Sequence, residues 1–89
     1  MLKSRALEQI VRGFSNHKRI GILQLLDSTP ELSVGEVARA QKMSLKLSSA
    51  HLKRLIVAGL IMKKSQGKEI RHKLTKRGNY ILKLLQDLE

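Results

Sequence analysis

Lysine and arginine residues are concentrated in one part of this 89-residue chain. The stretch from Lys42 to Arg77 contains eleven of the eighteen basic residues but only one of the seven acidic residues, Glu69. It therefore carries +10 of the total net charge of +11. Because ordinary solvated surfaces mix acids with bases, a stretch of nearly one sign indicates a surface that meets a polyanion, and nucleic acid is the first candidate.

The other chemically capable residues form no catalytic or metal-binding pattern. His17, His51 and His72 lie far apart, without the short spacings of zinc ligands, and the chain has no cysteine. The carboxylates have no close pair beyond Asp87 and Glu89, and no glycine-rich phosphate loop is present. We therefore expect no enzymatic activity, metal or cofactor. We expect His51 to be a partly buried packing residue rather than a DNA contact, and His72 to face solvent or, alternatively, a phosphate.

Length and composition predict one globular domain, residues 1–89. Hydrophobic residues make up 42% of the chain, with few glycines and one proline. No apolar run approaches the roughly 20 residues of a membrane span. The lack of cysteine fits a reducing compartment, so we expect a cytoplasmic protein without a membrane segment.

Apolar residues at spacings of three and four predict helices at both ends of the chain. The first helix ends between Gly13 and Asn16. The second is capped by Ser15 or Asn16 and stops at residues 27–30, and the last begins after Thr75. The outer apolar stripes comprise Leu2, Ala6, Leu7, Ile10, Val11 and Phe14 in the first helix, and Tyr80, Ile81, Leu84, Leu85 and Leu88 in the last.

The middle of the chain predicts two helices joined by a short turn. Ser33 and Glu36 have the spacing of a capping box, which starts a third helix from Val34 to about Lys42. A fourth helix begins at Ser44 and is ended by Gly59. Two helices separated by about three residues form a helix-turn-helix.

Two strand-like runs follow the fourth helix. Residues 60–65 and 69–74 flank a turn at 66–68, where Gly67 can adopt a positive φ. The runs predict a β-hairpin, or wing. The predicted fold class is therefore α+β, a winged helix-turn-helix with about five helices and a two-stranded wing.

Small residues alternate with long cations on the outward side of the fourth helix. An α-helix enters the major groove of DNA only if that side is slim enough to reach the base edges. Ser49 and Ala50 satisfy this requirement, and Lys46 can reach a guanine or a phosphate. Lys53 and Arg54, farther along the helix, are expected to contact the backbone.

Three segments match a known signature in order: His17–Ile20, Leu32–Ala38 and His51–Leu55. Together they resemble winged helix-turn-helix repressors of the ArsR type, over about residues 14–74. The run from His51 to Ile61 is the most specific part. Leu74–Gly78 is similar instead to the strand-to-helix junction of MarR-like proteins, which are the second choice of family.

The resemblance implies particular DNA contacts. Ser48 stands where relatives bury a β-branched residue, and Leu47 where they expose a polar one. Either the helix is slightly rotated or Leu47 touches a thymine methyl group. The implied DNA-facing residues are Ser44, Lys46, Leu47, Ser49 and Ala50 in the fourth helix and Lys68 and Arg71 in the wing.

The resemblance also implies a homodimer in which the first and last helices pair. The outer stripes independently require burial that so short a chain does not fully supply. The metal-sensing cysteines of ArsR-type relatives correspond to Val34 and Gly35, so we expect no metal site. The predicted dimer interface comprises Leu2, Leu7, Ile10, Phe14, Ile81, Leu84, Leu85 and Leu88.

These features predict a sequence-specific, double-stranded DNA-binding transcription regulator, acting as a repressor. The alternative is a winged-helix protein-interaction module whose charge serves an acidic protein partner. The two differ in salt dependence, because a DNA binder releases about 0.9 counterions for each phosphate contact.

Overall fold

The computed structural model describes residues 2–89 and confirms the winged helix-turn-helix architecture. Five helices and one antiparallel hairpin follow each other in the predicted order. The elements are α1 (Ser4–Phe14), α2 (His17–Ser28), α3 (Val34–Ala40), α4 (Leu45–Val57), β1 (Ile61–Gln66), β2 (Glu69–Leu74) and α5 (Lys76–Gln86).

Side-chain caps fix the starts of four helices. The Asn16 side chain, rather than that of Ser15, accepts two backbone N–H groups at the start of α2. Ser33 and Glu36 form the complete capping box of α3. Ser44 and Thr75 each accept the N–H three residues on, at the starts of α4 and α5. Each such cap contributes about 1 kcal/mol to helix stability.

The turn between α3 and α4 begins two residues earlier than the sequence predicted. Lys42 has a left-handed backbone with φ of +53°. The Met43 N–H donates to the Ala38 carbonyl at 2.9 Å, which closes the turn. A left-handed residue cannot continue the helix, so α3 ends at Ala40.

The core lies where α2, α3, α4, the base of the wing and α5 meet. Its residues come from α2, α3, α4, the turn after α4, β1 and α5, whereas Ile10 and Phe14 of α1 and Leu74 of β2 are partly buried and pack against it. This arrangement anchors one side of α4 and leaves the other free. The buried hydrophobic cluster comprises Ile22, Leu23, Leu26, Val37, Leu52, Leu55, Ala58, Leu60, Ile61 and Leu82.

The wing pairs Ile61 with Leu74 at its base and Gln66 with Glu69 at its tip. It begins one residue later than predicted because the Leu60 N–H donates to the Leu55 carbonyl at 3.0 Å and so belongs to the end of α4. Gly67 has a φ of +63° in the connecting turn, as expected.

The solvent-facing position predicted for His72 is wrong. Its side chain is buried, with 2% of its surface exposed. Leu32 forms a β-bridge with His72 on the outer edge of β2. His72 Nδ1 also lies 2.9 Å from the Leu32 carbonyl oxygen, so the loop before α3 covers this side of the wing.

Candidate nucleic-acid interface

One side of α4 is free of the core along its whole length. The opposite side is buried through Ser48, His51, Leu52 and Leu55. The structure thus brings together the predicted helix residues around one outward surface, which we call the α4 face. The exposed predicted residues are Ser44, Lys46, Leu47, Ser49, Ala50, Lys53 and Arg54.

The structure places the unusual pair at positions 47 and 48 on different sides of α4. Ser48 is completely buried, and its hydroxyl donates to the Val34 carbonyl at 3.0 Å. This hydrogen bond satisfies a polar group in a position suited to an apolar one. Leu47 is 41% exposed at the edge of the α4 face.

The amino terminus of α4 adds a favourable end to this face. Ser44 accepts the Leu47 N–H at 3.1 Å, and the first turn contains no acidic residue. The positive end of the helix dipole therefore points toward solvent without a carboxylate to neutralise it. Such an end attracts phosphate groups.

The wing adds exposed cations on both of its strands. Lys68 lies in the turn at the tip and is exposed as predicted. Lys64 is already paired, because its Nζ lies 3.3 Å from Glu31 Oε1. Lys63 and Lys73 are also exposed.

Arg71 differs from the other predicted DNA contacts because it already has acceptors. Its Nη1 donates to the Glu31 carbonyl at 2.8 Å and lies 3.4 Å from Glu36 Oε1. Its Nη2 pairs with Glu69. These contacts tie the wing to the loop before α3. A DNA contact from Arg71 stays a prediction.

The carboxylate of Glu36 is held in its charged form by the same region. The hydrogen bonds from the backbone and hydroxyl of Ser33 are the main cause that lowers its pKa below the usual value. Arg71 and Arg39 lower the pKa further through their charges. The start of α3 therefore stays negatively charged at neutral pH and holds Arg71.

His51 is buried on α4, which confirms its predicted packing role. Arg19 Nη1 lies 3.1 Å from His51 Nδ1. A guanidinium group only donates hydrogen bonds, so Nδ1 accepts and the ring is neutral. Burial, followed by the charges of Arg19, Lys18 and His17, lowers the pKa of His51 below its usual value.

Arg19 joins three helices, a role that sequence reasoning missed. Besides contacting His51, its Nε donates to the Gly13 carbonyl at 2.8 Å, and Nη2 donates to the Arg12 carbonyl at 3.3 Å. Arg19 belongs to α2, donates hydrogen bonds to carbonyls at the carboxyl end of α1, and contacts His51 of α4. In the sequence, the one indication of a role for Arg19 was its position in His17–Ile20, one of the three segments that carry the ArsR-type resemblance.

The neutral state of His51 predicts a pH-dependent stability. Below about pH 6.5, the ordinary histidine pKa, the unfolded chain gains a proton at His51 that the folded chain still excludes. The contribution of neutral His51 to the free energy of unfolding is therefore complete above that pH, and it is lost as pH falls through the lower pKa of His51 in the folded chain. We expect a lower Tm at pH 5.5 than at pH 7.5 by circular dichroism, and a smaller difference for His51→Gln. An equal difference in Tm between the two pH values in both proteins would contradict the pairing of His51 with Arg19.

The eight residues of the predicted dimer interface fall into three groups. Four of the predicted interface residues, Leu2, Leu7, Leu84 and Leu88, are exposed. Leu85 is half-buried. The predicted interface residues that pack against the chain's own core are Ile10, Phe14 and Ile81.

Two further apolar residues extend the exposed group. Val11 on α1 and Tyr80 on α5 are both exposed, and each was part of a helical stripe in the sequence. We call these two residues and the four exposed predicted residues the α1/α5 face.

Two general features of the described chain concern membranes and metals. Within residues 2–89 no helix has both the length and the apolar character needed to cross a membrane. Across the same residues, histidines and carboxylates form no group of three or more that could hold a metal ion.

The family follows from a direct match. Residues 15–62 match the model for winged helix-turn-helix DNA-binding domains, which covers more than half of the chain. The chain therefore belongs to the winged helix-turn-helix DNA-binding family. The match contains α2, α3 and α4 and reaches the start of the wing.

Solved structures agree with the ArsR-type resemblance. The homodimeric DNA-binding domain of a possible ArsR-family transcriptional regulator from Mycobacterium bovis is 25% identical, with a TM-score of 0.86 over 94% of this chain and 78% of that one. HlyU from Vibrio cholerae is 30% identical, with a TM-score of 0.81 over 99% and 97% of the two chains.

The MarR-like fold is shared as well. The multiple antibiotic-resistance repressor of Listeria monocytogenes is 22% identical and has a TM-score of 0.73, over 88% of this chain and 54% of that one. This likeness concerns the fold alone. Comparison with curated protein sequences gives no match.

Proposed function

We propose that this protein is a homodimeric transcription regulator that binds operator-like duplex DNA, with α4 in the major groove and the wing at the backbone or minor groove. The observation that carries the proposal is the α4 face. Ser49 and Ala50 make it slim, and exposed Lys46 and Lys53 flank them. This combination suits close approach to base edges within a phosphate-lined groove.

The α1/α5 face supports the dimer. Its apolar side chains lie on α1 and α5 or, for Leu2 and Leu88, just beyond the ends of these helices, and they are exposed to water in the single chain. A two-fold axis through this face would place two α4 helices in successive major grooves. The half-sites would then lie about one helical turn, roughly 34 Å, apart. The homodimeric M. bovis domain provides a precedent.

We further propose that the dimer represses by occlusion and does not use a metal at the start of α3. A dimer seated on a promoter would block access to the same DNA. Val34 and Gly35 occupy the start of α3, and neither side chain can ligate a metal. Repression would therefore depend on protein concentration or on another ligand.

We assign the residues of the α4 face to two roles, contact with DNA bases and contact with DNA phosphates. Lys46 and Ser49, near the amino end of α4, are proposed to contact bases, with Leu47 against a thymine methyl group. Lys53 and Arg54, farther along the helix, and Lys68 in the wing are proposed to contact phosphates.

The test begins with gel-shift selection from random duplexes at two salt concentrations. Affinity for the selected duplex is then measured across a salt series. About six phosphate contacts should give a log-log slope near −5. A shallow slope, without sequence preference, would contradict DNA as the partner and favour the acidic-protein alternative.

Single-residue variants then distinguish phosphate contacts from base contacts. Lys53→Ala should weaken selected and scrambled duplexes about equally and reduce the slope by about 2, because each protomer of a dimer loses one contact. Lys46→Ala should instead change which sequences are selected, as should replacement of Ser49. Lys3→Ala, a matched charge loss outside the basic stretch, serves as the control. Equal effects from all three α4 variants would contradict the assignment.

A further inference from the structure

An apolar groove lies beside the α4 face, between α4 and the wing. Its volume is about 420 Å³. Leu52 and Ile56 line it from α4, Ile70 from the wing and Val34 from the start of α3. The volume falls within the range of about 300–1,000 Å³ that is common for small-molecule sites.

The mouth of this groove exposes apolar side chains that the fold itself does not cover. Val57, which lines it, is 81% exposed, the largest value for a large hydrophobic residue between residues 2 and 89. Ile70 on the facing strand is 47% exposed. Covering these side chains would remove apolar surface from water, which favours an occupant with an apolar body.

The charges around the groove are all positive. Lys53 lines it from α4 and Lys63 from β1, and no acidic residue takes part in the lining. In the described part of the chain, neither ammonium group forms a salt bridge. Two cations without carboxylate partners, on opposite walls of an apolar groove, complement a ligand that has one anionic group.

We propose that this groove binds a small amphipathic organic anion, such as an aromatic or short acyl carboxylate. The apolar body packs against Leu52, Ile56 and Ile70. The carboxylate lies within reach of Lys53 and Lys63. Because Ser49 and Lys53 belong to both the groove and the α4 face, an occupant would also weaken DNA binding. That last consequence depends on the proposed function, whereas ligand binding itself does not.

The binding test uses DNA-free protein and 2-naphthoate, with neutral 2-naphthalenemethanol as the matched ligand. Fluorescence anisotropy should show saturable binding of naphthoate and weaker binding of the alcohol. Amide shift changes in ¹H–¹⁵N spectra should centre on α4 and the wing. Equal binding of both ligands, or shifts centred on α1 and α5, would overturn the proposal.

Two neighbouring lysines provide a matched pair of variants. Lys63→Gln should weaken naphthoate binding about three- to fivefold, the effect of losing a partly exposed ion pair. Lys64→Gln removes the same charge from a residue that pairs with Glu31 and does not line the groove, so it should leave binding unchanged. Ile70→Ala should weaken naphthoate and the alcohol alike, because both lose apolar contact. Equal effects from Lys63→Gln and Lys64→Gln would overturn the charge assignment.

A second experiment measures the DNA consequence. Naphthoate added to a protein–duplex complex should weaken DNA binding in the unchanged protein, and a higher concentration should be needed for Lys63→Gln. Groove binding with unchanged DNA affinity would overturn the effect on DNA. A protein that binds naphthoate but no duplex would contradict the proposed function and leave the ligand site supported.

Discussion

Replacing Gly78 with alanine is expected to destabilise the fold by about 3 kcal/mol or more, the range of severe steric substitutions. A Cβ at this position would overlap the Leu60 carbonyl oxygen and lie 3.0 Å from its carbonyl carbon. Leu60 is fully buried, so its backbone cannot move aside without disturbing the core. At about 4–8 °C per kcal/mol, the Tm should fall by roughly 12–24 °C.

Gly35→Ala is the matched control, measured by the same thermal unfolding followed by circular dichroism. A Cβ at Gly35 meets no atom within 4 Å, and the residue lies in α3. Alanine is favoured over glycine inside a helix by up to about 1 kcal/mol, so this variant should be neutral or slightly more stable. Similar decreases in Tm for both variants would show that the close approach of Gly78 to the Leu60 carbonyl does not determine the loss of stability.

The expected effect at Gly78 is large because α5 begins at a crowded corner. The Thr75 hydroxyl donates to the Gly59 carbonyl at 2.6 Å, and the Thr75 N–H donates to the Leu60 carbonyl at 3.0 Å. Arg77 Nη1 donates to the Ala58 carbonyl at 3.1 Å. These bonds hold the end of α4, the base of the wing and α5 together, so a displaced Gly78 would also disturb the relation between the α4 face and the wing.

Leu84→Glu is expected to dissociate the proposed dimer and to weaken binding to a two-half-site duplex by at least about 100-fold, the usual gain from joining two binding modules. Leu84 lies on the α1/α5 face and is about half exposed in the single chain. A carboxylate there would be tolerated in the monomer but would be buried without a partner in a dimer. Analytical ultracentrifugation measures the assembly, and fluorescence anisotropy the DNA affinity.

Gln86→Glu is the matched control because it adds the same charge to an exposed position of the same helix. It should leave both the dimer and DNA binding nearly unchanged. The Tm of the monomeric Leu84→Glu protein should stay independent of protein concentration, as expected for a folded single chain. A Leu84→Glu protein that remains dimeric would place the interface elsewhere.

Local signals in the sequence determined the order of the elements. Ser33, Glu36, Ser44 and Thr75 form their helix-capping bonds with residues only three positions away, so composition and spacing were enough to predict them. The periodicity of α4 likewise separated a buried side from a cationic one, because helix geometry alone places residues three and four apart together.

The proposed interface could be predicted only in part. The residues of the α4 face follow from one helix, and the structure exposes all of them. Arg71 could not be judged in the same way, because its acceptors Glu31 and Glu36 lie 40 and 35 positions away. The dimer residues were predicted from stripes that do not distinguish packing within one chain from packing between chains.

Tertiary structure alone decided which polar groups would be buried. Alternation along β2 assigns His72 and Arg71 to opposite sides of the wing but does not say which side another segment covers. Leu32 covers His72, Arg19 contacts His51 across 32 positions, and the apolar groove exists only because the wing folds beside α4. Such contacts depend on the packing of distant segments, whereas capping and periodicity depend on neighbours along the chain.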